Sequence, residues 1–236
     1  MRKKPKSKIV STFMITLLKK TISHQSRKRI KNLLSRYFGH NVIKGKKHNF
    51  FKHSGAYMTN CRIIFHGSGN QIVMGGGNRL INCTIEIFGN NNSIYIGDEN
   101  LFNHITFWIE DENCKIQIGS LNKFTGQLQL SAVEGTSLTI GDNCLFSSGI
   151  NITTTDSHSI LNESGNRINP SRDIQIGDHV WVGTRVLILK GVSIAADTVV
   201  GAASLVCRSS IENCVAIAGN PARIVKRNIN WNEKRI

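Results

Sequence analysis

The sequence predicts a mainly β fold, in which short parallel strands coil into a triangular prism behind a basic helical arm. Three observations support this prediction: apolar residues recur every six positions, Gly, Asn and Asp recur between them, and basic residues are concentrated near the N-terminus. A period of six suits neither an α-helix of about 3.6 residues per turn nor the alternation of a hairpin strand. It suits a short strand followed by a corner, with three such units in a coil of about 18 residues.

The N-terminal arm is predicted over residues 1–50 from its charge and its apolar spacing. Residues 1–85 contain 18 basic and no acidic side chains, because the first acidic residue is Glu86. The net charge of +15 therefore belongs to this end of the chain. Apolar residues at helical spacing predict two basic amphipathic helices, over residues 9–22 and 27–38.

The arm has two equally supported interpretations. Basic amphipathic helices lie on anionic membranes, or they pack their apolar stripe against the β domain or a sister subunit. A nucleic-acid partner is not expected, because the aromatic residues of the arm fall on the apolar stripe and form no stacking platform.

The β domain is predicted over residues 51–228, followed by a C-terminal tail over residues 229–236. Its last coils show the period most clearly. Six apolar residues there are spaced by six without a slip: Ile176, Val182, Ile188, Ile194, Val200 and Val206. These residues are predicted to point into the core.

The earlier coils follow a longer period of 22 residues, from Met74 through Ile96 and Ile118 to Ile140. Each of them therefore contains four residues more than an 18-residue coil, and these residues are predicted to bulge from one corner. Gly, Asn and Asp suit the corners, because they adopt left-handed backbone conformations more readily than other residues.

A polar loop is predicted over about residues 155–172. The interval between Ile140 and Ile176 is 36 residues, and after Phe146 and Ile152 the remaining hexad positions inside it are His158, Ser164 and Pro170, none of which suits a core. A long excursion from a compact repeat is usually functional or disordered. The alternative is a purely structural solenoid, since a repeat architecture by itself specifies no activity.

The six cysteines are dispersed without metal-binding spacing, and they are interpreted as small buried side chains. The sequence contains neither an apolar run long enough to cross a membrane nor a secretory cleavage pattern. A cytoplasmic location is therefore expected, with peripheral contact to the inner face of the membrane if the arm binds lipid.

Three segments carry a resemblance to a known family: residues 176–183 (IGDHVWVG), 200–206 (VGAASLV) and 218–223 (AGNPAR). With the loop histidine, they resemble the hexapeptide-repeat acyltransferases, and among these the sugar, capsule and lipopolysaccharide O-acetyltransferases of the galactoside/maltose acetyltransferase type. The resemblance implies a left-handed parallel β-helix and a homotrimer with acetyl-CoA between neighbouring coils. It also implies direct acetyl transfer from the thioester, without a metal ion.

The resemblance places the catalytic base at His158, which suits a reaction that removes a proton from a sugar hydroxyl near neutral pH. Asp156, two residues earlier, is expected either to orient the imidazole or to cap its own turn. Trp181 matches a tryptophan beside the transferring group, with an outward-facing structural aromatic as the alternative. His179 is interpreted as a surface residue, and lining of the acceptor site is the less favoured alternative.

The resemblance also implies a set of coenzyme contacts, in which the cations suit phosphate recognition. These residues are Thr184, Ala202, Cys207, Arg208, Arg223 and Lys226. The expected activity is acetyl-CoA-dependent O-acetylation of a carbohydrate acceptor on a surface polysaccharide or its precursor. The alternatives are N-acetylation of an amino sugar and a non-catalytic trimeric scaffold.

Overall fold

The computed structural model describes Ser26 and residues 39–235, and shows a three-sided coil of short parallel strands. The two amphipathic helices predicted over residues 9–22 and 27–38 lie outside the described residues. Within the part that is described, no helix has the length and apolarity needed to cross a bilayer.

The strands are numbered in chain order and form one sheet on each side of the prism. The first face contains β1 (Val42–Lys44), β4 (Arg62–Phe65), β7 (Thr84–Ile87), β10 (Ile105–Glu110), β13 (Leu128–Val133), β16 (Ile150–Thr153), β19 (Leu187–Ile188) and β22 (Leu205–Val206). The second face contains β2 (Phe50–Ser54), β5 (Gln71–Gly76), β8 (Ser93–Ile96), β11 (Lys115–Ile118), β14 (Ser137–Ile140), β17 (Ile174–Ile176) and β20 (Ser193–Ile194). The third face contains β3 (Tyr57–Thr59), β6 (Arg79–Ile81), β9 (Leu101–Asn103), β12 (Lys123–Phe124), β15 (Leu145–Phe146), β18 (Trp181–Val182), β21 (Val199–Val200), β23 (Val215–Gly219) and β24 (Ala222–Arg227). A short 3-10 helix spans Lys46–His48. All the strand pairs are parallel except β23 with β24, which closes the end of the coil.

The strand register confirms both predicted periods. Gln117 pairs with Tyr95 and Thr139, each 22 residues away, and Trp181 pairs with Val199, 18 residues away. The extra residues of the longer coils lie between the first and second faces, where β10 and β13 extend to six residues each. The same corner gives rise to the long loop.

The core consists of the inward residues of the three faces. All six hexad residues from Ile176 to Val206 are buried. In the earlier coils, Phe102, Phe124 and Phe146 stack along the axis with ring centroids 4.8 and 4.6 Å apart. Burial of a phenylalanine ring contributes about 1.5–3 kcal/mol, so this column adds to the driving force for stacking the coils.

Buried asparagines form ladders that join the corners of successive coils. At one corner, Oδ1 of Asn100 accepts from the backbone N–H of Asn122 at 2.8 Å. Oδ1 of Asn122 accepts from the N–H of Cys144 at 2.7 Å, and its Nδ2 donates to the carbonyl of Gly141 at 2.9 Å. Corner backbone groups face away from the strand ladders, so these amides satisfy donors and acceptors that would otherwise be buried without partners.

The structure corrects two expectations. The coil begins at β1, before the predicted boundary at residue 51, because Val42–Lys44 already pairs in parallel with β4. Because β1 contains only three residues, the period is not visible there. Cys61, Cys83, Cys114 and Cys144 are buried as predicted, but Cys207 is exposed and Cys214 is partly exposed. These two cysteines sit at corners and not at inward hexad positions.

Candidate active site

The predicted loop is present, and it occupies residues 154–173 between β16 and β17. At its base, the N–H of Arg172 donates to the carbonyl of Thr154 at 3.0 Å. Further out, Arg167 donates from Nη1 to Oε1 of Glu134 at 2.7 Å, which ties the loop to the corner of the preceding coil. That hydrogen bond is the main reason why the pKa of Glu134 lies below its ordinary value. The loop is therefore anchored at several points.

Asn169 holds the two arms of the loop together and is only 8% exposed. Its Oδ1 accepts from the backbone N–H of Ile160 at 2.7 Å. Its Nδ2 donates to the carbonyl oxygen of His158 at 2.8 Å and to Oδ2 of Asp156 at 2.9 Å. One side chain thus fixes the backbone on both sides of the predicted base.

His158 lies on the outside of this arrangement, with its side chain exposed. Its own N–H donates to the carbonyl of Asp156 at 2.8 Å, across a turn in which Ser157 has a φ of 66°. No hydrogen bond to its ring is formed within the described part of the chain. The backbone is fixed, while the imidazole faces solvent and is accessible to a substrate.

The carboxylate of Asp156 contacts Lys190 and Asn169, and not the imidazole that it was expected to orient. Its Oδ2 accepts from Nζ of Lys190 at 2.5 Å, and that same Nζ donates to the carbonyl of Asn169 at 2.8 Å. Lys190 holds the pKa of Asp156 below its ordinary value, since its hydrogen bond outweighs the opposing effect of burial. Asp156 thus acts through the loop backbone, and its carboxylate contacts Lys190 and Asn169 instead of the imidazole.

Trp181 lies on the outer side of the third face and is 39% exposed. Its ring is 6.1 Å from that of Trp231, at an interplanar angle of 44°. His179 is not a free surface residue, because its ring stacks on Trp231 at 4.3 Å and its Nδ1 lies 2.8 Å from Oδ1 of Asp197.

The six predicted coenzyme residues are all exposed, and they fall on separate parts of the prism. Thr184 and Ala202 lie at the corner between the third and first faces, where the N–H of Ala203 donates to the carbonyl of Thr184 at 2.8 Å. Cys207 and Arg208 lie at the corner between the first and second faces, one coil above Lys190.

Arg223 and Lys226 lie on the antiparallel end strand β24, opposite Ala218 and Ala216 of β23. The loop histidine and Arg208 therefore share one corner of the chain. Trp181 and Thr184 lie on another side, so a single chain does not bring all the predicted residues together.

Sequence reasoning missed three residues that organise this region. Asn169 and Lys190 gave no signal, because an asparagine in a polar loop and a lysine at a corner are ordinary in such positions. Trp231 offered a weak signal as the one aromatic residue in the polar tail 228–235.

A three-sided parallel coil with a loop-borne histidine is the combination that the motifs predicted for an acyltransferase of the β-helix class. No protein-family model matches the chain. The crystal structure of the polysialic acid O-acetyltransferase OatWY matches with a TM-score of 0.69 and 31% identity, over 83% of this chain and 89% of that chain.

Two curated sequences give further matches. The polysialic acid O-acetyltransferase of Neisseria meningitidis is 35% identical over 110 residues, which cover 46% of this chain and 51% of that protein. The galactoside O-acetyltransferase of Escherichia coli (strain K12) is 37% identical over 107 residues, covering 44% and 51%. The chain spans about half the length of the curated relatives it matches.

The chain belongs to the hexapeptide-repeat acyltransferases, in the group that contains the polysialic acid and galactoside O-acetyltransferases. The match also confirms the predicted left-handed parallel β-helix.

Proposed function

We propose that this protein transfers an acetyl group from acetyl-CoA to a hydroxyl of a surface polysaccharide or of its sugar precursor. One observation carries the proposal: an exposed imidazole, that of His158, stands on a clamped loop of a chain whose fold matches a polysialic acid O-acetyltransferase. The names of the matched relatives, which specify polysialic acid and galactosides, support a carbohydrate acceptor.

His158 is the general base of the proposed reaction. A sugar hydroxyl is a weak nucleophile at neutral pH, so an imidazole that takes its proton during attack on the thioester carbonyl lowers the barrier. The carbon–sulfur bond then breaks, and the proton leaves with the coenzyme A sulfur. Asn169 and Lys190 support this role, because they fix the backbone around the base without occupying its ring.

The proposed coenzyme site runs along the coil edges, with cations for the phosphates. Arg208 lies at the same corner as the loop, and exposed side chains of this kind recognise phosphate through charge-assisted hydrogen bonds. Trp181 and Thr184 lie on another side of the prism, so the site would be completed by a neighbouring subunit. The proposal therefore includes a homotrimer, and a cytoplasmic location where acetyl-CoA is made available.

The test uses the purified full chain with isotopically labelled acetyl-CoA, sialic acid polymers and galactosides, followed by NMR to locate the label. We expect acetyl esters that are removed by mild base, because an amide formed by N-acetylation would survive that treatment. His158→Ala is expected to lower kcat by at least about a hundredfold, while coenzyme A binding measured by calorimetry stays unchanged. Full activity in His158→Ala would exclude this base. Coenzyme A binding without transfer to any acceptor would favour a scaffold.

A further inference from the structure

Residues 228–235, which follow β24, cross the outer side of the third face, and we call them the C-terminal strap. The N–H of Ile229 donates to the carbonyl of Cys214, beside β23, at 2.9 Å. Near the other end of the strap, Glu233 forms an ion pair with Lys123 on β12. Since β23, β21, β18, β15 and β12 are consecutive in the sheet, the strap spans four strand spacings, or about 19 Å. It passes β18 on the way, where it reaches Trp181.

Trp231 is the residue of the strap that reaches β18, and its position is fixed by several contacts. Its Nε1 donates to the carbonyl of His179 at 2.8 Å. Its ring stacks on the His179 imidazole with centroids 4.3 Å apart and an interplanar angle of 13°. The imidazole is itself held by Asp197 at 2.8 Å. Asp197 thus holds His179, and His179 supports the indole ring of Trp231.

Trp231 and Trp181 lie side by side, with centroids 6.1 Å apart, and we call the pair the indole platform. Trp181 keeps 39% of its surface exposed and Trp231 is only partly buried. We propose that the indole platform binds a pyranose ring of the carbohydrate acceptor and that Trp231 is a specificity-determining residue. This inference rests on the proposed function, which supplies the acceptor and places Trp181 near the reacting groups.

The chemistry of the platform favours a sugar over the coenzyme. The C–H face of a pyranose packs on an indole, while nearby polar groups bond its hydroxyls. Two carboxylates lie beside the platform, that of Asp197 on the His179 ring under Trp231 and that of Glu233 on the strap, and they disfavour the phosphates of coenzyme A. The neighbouring Lys123 is already paired with Glu233. A pyranose ring therefore fits this surface better than a nucleotide.

The test compares Trp231→Ala with Trp231→Phe, using steady-state kinetics with sialic acid oligomers and with lactose as acceptors. Trp231→Ala is expected to raise the KM for the acceptor about tenfold, which corresponds to about 1.4 kcal/mol of lost binding. The KM for acetyl-CoA should change less than about twofold. Trp231→Phe should recover most of the acceptor affinity, because it keeps an aromatic face.

The matched control is Trp108→Phe. Trp108 is the one tryptophan of the sequence outside the platform. It lies on the first face, where its Nε1 donates to Glu110 at 3.1 Å. This variant should keep the acceptor KM of the wild type. It also simplifies the fluorescence spectrum, so that quenching by an acceptor in the absence of acetyl-CoA reports on the platform alone.

The outcomes separate this inference from the proposed function. Fluorescence quenching by either acceptor without any acetyl transfer would support the platform and contradict the proposed reaction. Transfer with an unchanged acceptor KM in Trp231→Ala would overturn the platform and leave the reaction intact. A rise in the KM for acetyl-CoA, a change of oligomeric state, or a lower Tm with unchanged kinetics would each overturn it as well. The same holds if neither acceptor quenches the fluorescence.

Discussion

At the scale of single residues, the candidate site depends on side chains that position the proposed base, His158, without touching its ring. The amide nitrogen of Asn169 donates to the carbonyl of His158 and to the carboxylate of Asp156. Its amide oxygen accepts from the N–H of Ile160. Lys190 bonds Asp156 and the carbonyl of Asn169. Such a supporting shell matters for rate, because a misplacement of about 1 Å at a reacting group costs about a hundredfold.

Asn169→Ala is therefore expected to lower kcat about 10- to 100-fold, with the KM for acetyl-CoA changed less than about twofold. The variant keeps the imidazole but removes the hydrogen bond that fixes the backbone of His158, so the ring is less well oriented. Steady-state kinetics provide the measurement, with Asn166→Ala as the control, because that residue lies in the same loop and makes none of the clamp bonds through its side chain. Equal losses in both variants would indicate a general effect on the loop.

The sequence predicted candidate reactive residues for the site, but it did not predict the residues that hold them in position. His158 and Trp181 are of residue types that carry proton transfer and aromatic contact, and their motifs placed them on the loop and on β18. Asn169 and Lys190 act through backbone carbonyls and a carboxylate brought together by the path of the loop. No spacing of residue types specifies that path, so their roles required the structure.

Lys190 also sets the pH range of the loop clamp. Its hydrogen bond lowers the pKa of Asp156 below the ordinary value of 3.8. A carboxylate with a lowered pKa stabilises the fold fully above that ordinary value, and the contribution is lost as the pH falls through the lowered pKa. The clamp is thus complete at neutral and mildly acidic pH.

Lys190→Met should move the pKa of Asp156 upward, because burial then acts without the neighbouring cation. A 13C NMR titration of the Asp156 carboxyl group checks the direction. The control is Arg62→Met, which removes an ion pair with Glu86 in a distant coil and should leave the Asp156 titration where it is. A downward movement in Lys190→Met would contradict the assignment of Lys190 as the stabilising partner.

At the scale of elements, the asparagine ladders join coils whose own hydrogen bonds run only within the faces. Asn122 is fully buried, and it serves one N–H and one carbonyl of the next coil. Its ladder ends at Cys144, whose sulfur accepts weakly from the N–H of Val180 at 3.4 Å. Burial of this thiol raises the pKa of Cys144 to about 12, so it remains neutral in the ladder.

Asn122→Ala should reduce the free energy of unfolding by about 2–5 kcal/mol, because it leaves two buried backbone groups without partners. Urea denaturation gives the measurement. Asn103→Ala is the matched control, since its side chain lies on the outside of a neighbouring coil, and a change within about 1 kcal/mol is expected. If the two variants lost the same stability, the ladder would not be a special source of it.

The sequence predicted the strands correctly where the periodic pattern repeats many times, and missed them where it does not repeat. The hexads from Ile176 to Val206 and the 22-residue coils both appear in the strand register. The first coil was missed because β1 contains only three residues, and Val42 and Ile43 alone do not establish a period. Periodicity is informative only when it repeats, so the ends of a solenoid are its least predictable part.

At the scale of the whole molecule, the proposed functional residues are distributed over different sides of one prism. The loop with His158 leaves the corner between the first and second faces, whereas Trp181 lies on the third face. A reaction that uses both residues therefore requires two chains. In a closed ring of three, each junction between subunits would hold one such site, and light scattering should then give three times the chain mass of 26.2 kDa.

Subunit mixing tests this arrangement directly. His158→Ala and Trp181→Ala should each be nearly inactive as homotrimers, because every junction lacks one of the two residues. When the two variants are unfolded together and refolded as mixed trimers, about a quarter of the junctions combine an intact His158 from one chain with an intact Trp181 from the other. We therefore expect the mixed trimers to show about a quarter of the wild-type activity, averaged over all junctions.

Mixing without refolding is the control, since subunits that do not exchange cannot complement one another. If mixed trimers stay inactive while wild-type protein refolded in the same way recovers, both residues must act within one chain, and the site would then lie along a single prism.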